Sequence, residues 1–339
     1  MTTQVTAALL TAILFLAVPS AANATFPGTN GKIAYITDEP KILLINPDGT
    51  GLEEIPTPLP AISQGLRVSP DASKILYAGR IELLDPNGDP QVCDDIYVIN
   101  RDGTGNTRLT DSCRGSENFS WSPDGTKIVF TLNGQIWIMN ADGTDKTQLT
   151  HIGLSTKGAP NWSPDGTKIA YHDFSEIDSA FNIFVMNSDG TGSTQLTHTT
   201  MGQFQYPNWS PDGTKIAFDG PENSDYVIRL MNADGSGQTQ LTSATARFPS
   251  WSPDGTKIVF SEIDNGIFIA TISSDGTGMT RITTTHGNFP DWSILSSDTS
   301  PKKVAICHKP GTPAEKTLFL AKSAVPEHLG HGDTLGNCP

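Results

Sequence analysis

The sequence predicts an all-β chain: a six-bladed β-propeller of four-stranded antiparallel blades, closed by a C-terminal strand and followed by a small C-terminal module. The main observation is a repeated word, SPDGTKI, which begins at Ser122, Ser163, Ser210 and Ser252, with a weaker copy, SPDASKI, at Ser69. Successive copies start 53, 41, 47 and 42 residues apart, a period typical of propellers and other repeat folds. Before the C-terminal tail, no long stretch has helical periodicity.

Each repeat unit predicts four short strands. A stretch ending in Trp-Ser is followed by SPDG, in which Pro, Asp and Gly suit the second, third and fourth positions of a type I turn. A β-rich run such as KIVF, a variable loop and a second β-rich run such as QIWIMN follow. A second Gly turn, such as NADGTD, and a short strand, such as TQLT, complete the unit. Short strands joined by such turns predict one antiparallel sheet per unit, and sheets repeated radially make a propeller.

The two ends of the repeat predict how the ring closes. The first unit, at residues 32–46, has no Trp-Ser strand before it. The missing strand is found after the sixth unit, as FPDWS at residues 289–293. We therefore expect FPDWS to complete the first blade, which also removes exposed strand edges.

Tryptophan holds the same position in five of the six units, and Val68 holds it in the other one. Large aromatic side chains dominate the energetics of protein cores, so we predict packing between blades in preference to a functional aromatic array. The five residues are Trp121, Trp162, Trp209, Trp251 and Trp292.

The words W-S-P-D-G-T-K-I and I-x-x-M-N-x-D-G-T resemble the WD40-like repeat of TolB-type six-bladed propellers, over roughly residues 26–295. The resemblance implies an exported propeller scaffold that often serves as an interaction module. TolB itself works in the periplasm through protein contacts and has an α/β domain ahead of its propeller. We expect no such domain here, so the resemblance does not extend to TolB's own partners.

The N-terminus predicts an export signal. An apolar run from Val5 to Val18 is followed by small residues, and Ala22-Asn23-Ala24 fits the A-x-A rule, so we expect cleavage after Ala24. An uncleaved anchor is the alternative, but the run is short for a membrane span. No later stretch is apolar enough to cross a membrane. The expected divisions are a signal peptide at 1–24, a propeller at 25–299 and a module at 300–339, in the periplasm or outside the cell.

Four cysteines remain in the mature chain. An even number of cysteines in an exported protein favours disulfides. Their order along the chain predicts two pairs, Cys93–Cys113 and Cys307–Cys338.

The tail after Ser300 contains no propeller word and resembles a short Cys/His module at the C-termini of other secreted bacterial proteins, for which no activity is implied. Its three histidines, His308, His328 and His331, suggest a zinc or copper site, because imidazole suits both metals. The favoured interpretation is a small module closed by the Cys307–Cys338 disulfide, with no metal.

Charge limits the classes of partner. The formal net charge is −14, and the acidic body argues against nucleic acid and anionic membranes, whose phosphates need Lys and Arg. It permits cationic partners or metal ions. We expect a monomer that binds a protein or a glycan.

Function is expected on one face of the ring. Because strand direction alternates, the SPDG and NADG turns share one face and the variable loops share the other. Asp85, Asn87 and Asp89 alternate as calcium ligands would, but no downstream Glu completes the loop, so a solvated loop is favoured. The four predicted loops all carry carboxylates and span residues 78–95, 172–182, 219–225 and 261–266.

Catalytic motifs are absent from the sequence: we find no G-x-S-x-G, no H-E-x-x-H and no phosphate-binding Gly loop. His151, His172, His198 and His286 are assigned to variable loops, where a cluster at the channel mouth would favour the alternative of a carbohydrate-binding protein or a polysaccharide lyase or hydrolase. Exposed apolar side chains on that face would favour a protein partner. The sequence therefore predicts a non-catalytic binding scaffold with no cofactor.

Overall fold

A computed structural model describes residues 28–58, 62–84, 87–111, 118–151, 156–200, 202–222, 225–243, 245–263, 267–284, 286–295, 303–308, 316–321 and 334–335. The predicted signal peptide, Cys113 and Cys338 lie outside these ranges. The chain divides into two compact units, Met1–Ile294 and Leu295–Pro339.

The first unit is a six-bladed propeller, and its strands follow the repeat. Blade 1 begins with β1 (Asn30–Ile36), β2 (Ile42–Ile45) and β3 (Glu53–Ile55). Blade 2 consists of β4 (Ile62–Val68), β5 (Lys74–Leu84), β6 (Pro90–Asn100) and β7 (Thr107–Arg108). Blade 3 consists of β8 (Phe119–Trp121), β9 (Lys127–Leu132), β10 (Gln135–Asn140) and β11 (Thr147–Gln148).

The second half of the ring repeats this arrangement. Blade 4 consists of β12 (Gly158–Trp162), β13 (Lys168–Ser175), β14 (Ala180–Asn187) and β15 (Thr194–Gln195). Blade 5 consists of β16 (Gln205–Trp209), β17 (Lys215–Glu222), β18 (Asp225–Asn232) and β19 (Thr239–Gln240). Blade 6 consists of β20 (Ala246–Trp251), β21 (Lys257–Ile263), β22 (Ile267–Ser273) and β23 (Thr280–Arg281), and β24 (Asn288–Ile294) follows it.

Strand β24 closes the ring as predicted. The sheet order in blade 1 is β24-β1-β2-β3, so the last strand of the propeller pairs with the first. The pairing is antiparallel and sets Ile33 opposite Trp292 and Ala34 opposite Asp291. Blade 1 is thus assembled from the two ends of the unit, and the prediction of six closed four-stranded blades is confirmed.

The SPDG words form a chain of contacts from blade to blade. A Cβ added at Gly125 would lie 3.3 Å from the Pro70 ring of the preceding blade, and one at Gly213 would lie 3.2 Å from Pro164. Both glycines have a φ of +69°, which a side chain would strain. The word is therefore repeated because each turn must fit against the preceding one.

Within each word the Asp side chain holds the turn. In blade 3, Asp124 Oδ1 accepts hydrogen bonds from Ser122 Oγ at 2.6 Å, from the Thr126 N–H at 3.0 Å and from Thr126 Oγ1 at 2.8 Å. The equivalent bonds recur in the words of blades 4, 5 and 6. Ser, Asp and Thr are thus all used by the turn itself.

The five tryptophans lie between blades and are buried. Trp251, for example, packs with Leu230 of blade 5 and with Ile258 and Phe260 of its own blade 6. Each of the others belongs to a cluster that likewise spans two neighbouring blades.

The residue before each tryptophan also joins blades. Asn161 Oδ1 accepts a hydrogen bond from the backbone N–H of Trp209 at 3.0 Å, and Asn208 Oδ1 accepts one from Trp251 at 3.2 Å. At the closing blade, Asp291 Oδ2 accepts the N–H of Val68 at 2.8 Å. Burial raises the pKa of Asp291, although Arg67 and this hydrogen bond act to lower it.

The second unit contains a three-stranded sheet of β25 (Lys303–His308), β26 (Lys316–Ala321) and β27 (Thr334–Leu335), in the order β26-β25-β27. Its side chains lie outside the described part of the structure, so the Cys307–Cys338 disulfide stays a prediction. Across the described residues, no helix has the length and apolar character needed to cross a membrane.

Candidate functional site

The predicted variable loops are mostly β-hairpins. In blade 2, β5 and β6 remain paired from Lys74 and Asn100 out to Leu84 and Pro90, so the predicted loop at 78–95 is largely strand. In blades 4, 5 and 6 the pairing likewise extends to Ser175–Ala180, Glu222–Asp225 and Ile263–Ile267. The loop prediction was therefore wrong in extent, although the hairpin ends do lie where the loops were expected.

We call the side of the ring that carries these turns and the connections between blades the hairpin face. The described residues of its connections between second and third strands are 37–41, 87–89, 133–134 and 176–179. The SPDG and NADG turns lie on the opposite side, because strand direction alternates through each blade.

Exposed apolar side chains are concentrated on the hairpin face. Of the nine large apolar side chains that are exposed among the described residues, six lie near the ends of these hairpins. Ile177 is 91% exposed and Leu84 is 72% exposed, although each sits on a paired hairpin. The six residues belong to blades 2, 4 and 6, which alternate around the ring: Leu83, Leu84, Val92, Phe174, Ile177 and Ile263.

A buried ion pair joins blades 5 and 6 beneath this face. Arg247 Nε donates to Asp219 Oδ2 at 2.9 Å, and Arg247 Nη2 donates to Gln205 Oε1 at 3.0 Å. The guanidinium carbon lies 4.5 Å from the ring centroid of Tyr226. Asp219 is completely buried; burial raises its pKa to about 7, although the charge and hydrogen bond of Arg247 oppose the shift.

Three aromatic side chains contact one another at equivalent positions of blades 5, 6 and 1. Ring centroids are 4.6 Å apart for Tyr206 and Phe248, and 4.2 Å apart for Phe248 and Phe289. All three residues have positive φ, between 50° and 59°, a conformation that non-glycine residues rarely adopt. Gly65 holds the equivalent position in blade 2, so the backbone shape is architectural and only the side chains differ.

The structure does not support a shared site for the four predicted histidines. His172 lies inside strand β13, not in a loop; burial and then Arg247 lower its pKa to about 3, so its ring is neutral. His198 pairs with Asp178, and His286 pairs with Asp38 of blade 1. No contact between two histidines is found among the described residues.

A Ser, His and Asp cluster in blade 4 lacks the serine-to-histidine-to-aspartate order of hydrogen bonds that activates a serine nucleophile. Asp178 Oδ2 accepts a hydrogen bond from Ser175 Oγ at 3.1 Å and lies 3.3 Å from His198 Nδ1. The serine hydroxyl thus faces the carboxylate instead of the imidazole that would take its proton. Gln195 bonds to all three side chains, so the cluster fixes the end of the hairpin.

Metal sites are not found in the part of the chain that the structure describes: no group of three or more His, Cys, Asp or Glu side chains is placed to hold an ion. Asn87 and Asp89 are exposed at the end of the blade 2 hairpin, and Asp85 lies outside the described residues. The candidate ligands His308, His328 and His331 also have no described side chains, so that hypothesis stays open.

Cys93 is fully buried in strand β6 and is disulfide-bonded. Its predicted partner, Cys113, lies outside the described residues. The pairing itself therefore stays a prediction.

Two features of this face were missed at the sequence level. The Arg247–Asp219 pair joins residues of different blades, and neither stands in a recognisable motif. The Leu83-Leu84 and Ile177 side chains have apolar signals that are normally assigned to a core. Only the hairpin geometry shows that they are exposed.

Comparison with known proteins places the fold. Residues 131–296 match the family described as TolB beta propeller domain. TolB from Acinetobacter baumannii superposes with a TM-score of 0.64 at 21% identity, covering 78% of this chain and 67% of that one. A TolB from Agrobacterium tumefaciens gives 0.59 at 20% identity, covering 77% and 91%.

Other matches carry different names. A chain of the nidogen/laminin complex superposes with a TM-score of 0.64 at 14% identity, covering 78% of this chain and 98% of that one. A curated relative, dipeptidyl-peptidase 5 of Porphyromonas endodontalis, is 27% identical over 92 residues, which are 26% of this chain and 13% of the peptidase. This chain thus matches only a small part of that enzyme's length.

The family match, the six closed blades and the TolB structures agree with one another. Residues 30–294 form a six-bladed β-propeller with the fold of the TolB structures, and the part at residues 131–296 matches the TolB-type β-propeller domain.

Proposed function

We propose that this chain is a non-catalytic scaffold that binds a protein partner on its hairpin face. The observation that carries the proposal is the set of exposed apolar side chains on the hairpins of blades 2, 4 and 6. Apolar side chains concentrated on one face are typical of protein–protein interfaces. They gain roughly 25 cal/mol for each Å² of apolar surface that a partner removes from water.

The hairpins suit this role because their backbones are already paired. Leu84 and Ile177 are held on strands or turns whose neighbours are fixed by the ladder, so binding orders little new backbone. Of the histidines assigned to this face, His172 is buried, and His198 and His286 are paired with carboxylates. These observations favour a binding surface over the glycan-cleaving alternative.

The double substitution Leu84→Ser/Ile177→Ser is expected to abolish capture of the partner. The protein from residue 25 onwards is used as bait for envelope and secreted proteins, and captured material is quantified by mass spectrometry. The matched control is Met279→Ser, which removes an exposed apolar side chain outside the hairpin face. Equal capture by wild type and both variants, or capture of polysaccharide alone, would contradict the proposal.

We also propose that the protein is exported and works in the periplasm or outside the cell. The apolar run, the A-x-A site and the even number of cysteines support this location. The expected N-terminal residue of protein recovered from the native host is Thr25, measured by intact mass and N-terminal peptide analysis. A recovered chain that still begins at Met1 would show that the segment is retained.

A further inference from the structure

We propose that the partner presents basic side chains, Lys or Arg, around the apolar groups that contact the hairpin face. This inference rests on the proposed function and names the chemistry of the partner. It follows from how charge is distributed on that face.

The positive charges of the hairpin face are already neutralised. Seven Lys and Arg residues on this side are described, and every one of them lies within 4.0 Å of a carboxylate oxygen of the same propeller. Five of these pairs have an N–O distance below 3.0 Å; in the Arg80 pair, Nε donates to Asp94 at 2.9 Å. The seven residues are Lys41, Arg80, Arg108, Lys157, Arg229, Arg247 and Arg281.

Several carboxylates of the same face are not neutralised. Glu82 is exposed beside Leu83, and Glu176 is exposed beside Ile177. Asp225 is exposed at the end of the blade 5 hairpin, and Asp111 is exposed in the connection between blades 2 and 3. None of the four side-chain carboxylates has a hydrogen bond or an ion pair with another described residue.

This arrangement gives the face a negative potential around apolar contact points. A closely paired Arg and carboxylate contribute little net field at a distance, so the unpaired carboxylates dominate it. A partner with acidic groups would meet uncompensated repulsion, whereas Lys or Arg would gain attraction and a faster encounter. The body of the chain is acidic as well, since the formal net charge is −14.

The apolar contacts lie on alternate blades, so the basic groups must be interspersed with apolar ones. Glu82 and Glu176 each sit next to an exposed apolar side chain on a different blade. A partner that satisfies both therefore carries mixed apolar and basic chemistry over a broad area. A purely polybasic segment would leave Leu84 and Ile177 uncovered.

The test uses two synthetic amphipathic peptides with identical leucine positions, one with lysine and one with glutamate at every polar position. Binding to the full mature chain is measured by fluorescence anisotropy over a range of salt concentrations. We expect the lysine peptide to bind at least about tenfold more tightly, and its affinity to fall as salt rises. A leucine-free lysine peptide is the control for attraction by charge alone and is expected to bind weakly.

Substitutions locate the effect. Glu82→Gln/Glu176→Gln is expected to weaken the lysine peptide several-fold and to reduce its salt dependence, because two unpaired charges are removed. Gln91→Glu adds a charge to the exposed blade 2 hairpin and is expected to strengthen binding. The matched control, Gln238→Glu, adds the same charge on the opposite side of the ring and is expected to leave the affinity unchanged.

The outcomes separate this inference from the proposed function. Equal binding of both peptides that is lost in Leu84→Ser/Ile177→Ser would overturn the basic partner and leave the binding face intact. Lysine-peptide binding that resists Glu82→Gln/Glu176→Gln would also overturn the inference, since the charges would act elsewhere. Binding that resists the apolar substitutions as well would overturn both, as would the absence of binding by either leucine peptide.

Discussion

Replacing Trp292 with alanine is expected to lower the free energy of unfolding by about 3–5 kcal/mol, the usual cost of truncating a large core aromatic residue. Trp292 is 4% exposed and packs with Ile33 of blade 1 and Val259 of blade 6. Its indole N–H donates to the Gly31 carbonyl at 3.2 Å, which ties the last strand of the propeller to the first. The change thus removes packing and a hydrogen bond at the point where the ring closes.

Urea unfolding followed by tryptophan fluorescence and circular dichroism measures this effect. Trp292→Phe is the matched control, because it keeps an aromatic ring in the cluster and loses only the indole N–H and some volume. If closure by β24 holds the ring together, Trp292→Ala should also reduce the cooperativity of unfolding, seen as a lower m-value or separated transitions. A loss below about 1 kcal/mol with unchanged cooperativity would show that closure depends little on this side chain.

The architecture was predictable because the same physical requirements recur in every blade. Each SPDG turn needs Asp124 or its equivalent to satisfy the turn, and its Gly adopts a positive φ that favours glycine. Each interface needs a large side chain such as Trp251. Because these requirements recur in every blade, they appear as a repeat in the sequence. The FPDWS strand has no repeat unit of its own, and it therefore predicts how the ring closes.

The hairpin face was not predictable in the same way. Strands β5 and β6 extend beyond their neighbours, so both sides of the hairpin meet solvent and the period-two alternation of a half-buried strand disappears. Without that alternation, residues 78–95 resemble a loop. Nothing in the sequence indicates that Leu83 and Leu84 are exposed, because their burial depends on how far the hairpin projects.

Contacts between blades could not be predicted from local sequence patterns either. Asp219 and Arg247 are 28 residues apart and belong to different sheets. His172 was assigned to a loop because it follows KIAY, yet strand β13 continues through it and carries it into a buried site. In each case the outcome depends on long-range packing, which a single sequence does not display.

Arg247→Met is expected to destabilise the propeller by about 3–5 kcal/mol at pH 8, because it removes one partner of a buried ion pair. The Arg247 side chain packs against Tyr206, Tyr226 and Phe248, and methionine keeps part of that packing. Asp219 remains completely buried and loses the positive charge that favours its ionised form.

The loss of stability in Arg247→Met should depend on pH. The direction of this dependence follows from the pKa of Asp219, which is raised from 3.8 to about 7 in the folded wild type. A raised carboxyl pKa stabilises the fold most at low pH, and that contribution is lost as pH rises from about 4 to about 7. Above pH 7 the wild type loses nothing further, because ionised Asp219 pairs with Arg247. Without Arg247 the pKa of Asp219 in the folded protein rises higher still. Above pH 7 the free energy of unfolding of the variant therefore continues to fall, by up to about 1.4 kcal/mol per pH unit.

Urea unfolding of wild type and Arg247→Met at pH 5 and pH 8 tests this account. At pH 5 Asp219 is protonated in both folded proteins, so the deficit should be smaller than at pH 8 by up to about 1.4 kcal/mol and should reflect lost packing and hydrogen bonds. The double variant Arg247→Met/Asp219→Asn removes the titrating group, so position 219 should make no pH-dependent contribution to its free energy of unfolding, and its deficit relative to wild type should be smaller at pH 8 than at pH 5. A single-variant deficit that is independent of pH would mean that Asp219 is not held by Arg247 as a charge, and that the pair joins blades 5 and 6 through hydrogen bonding alone.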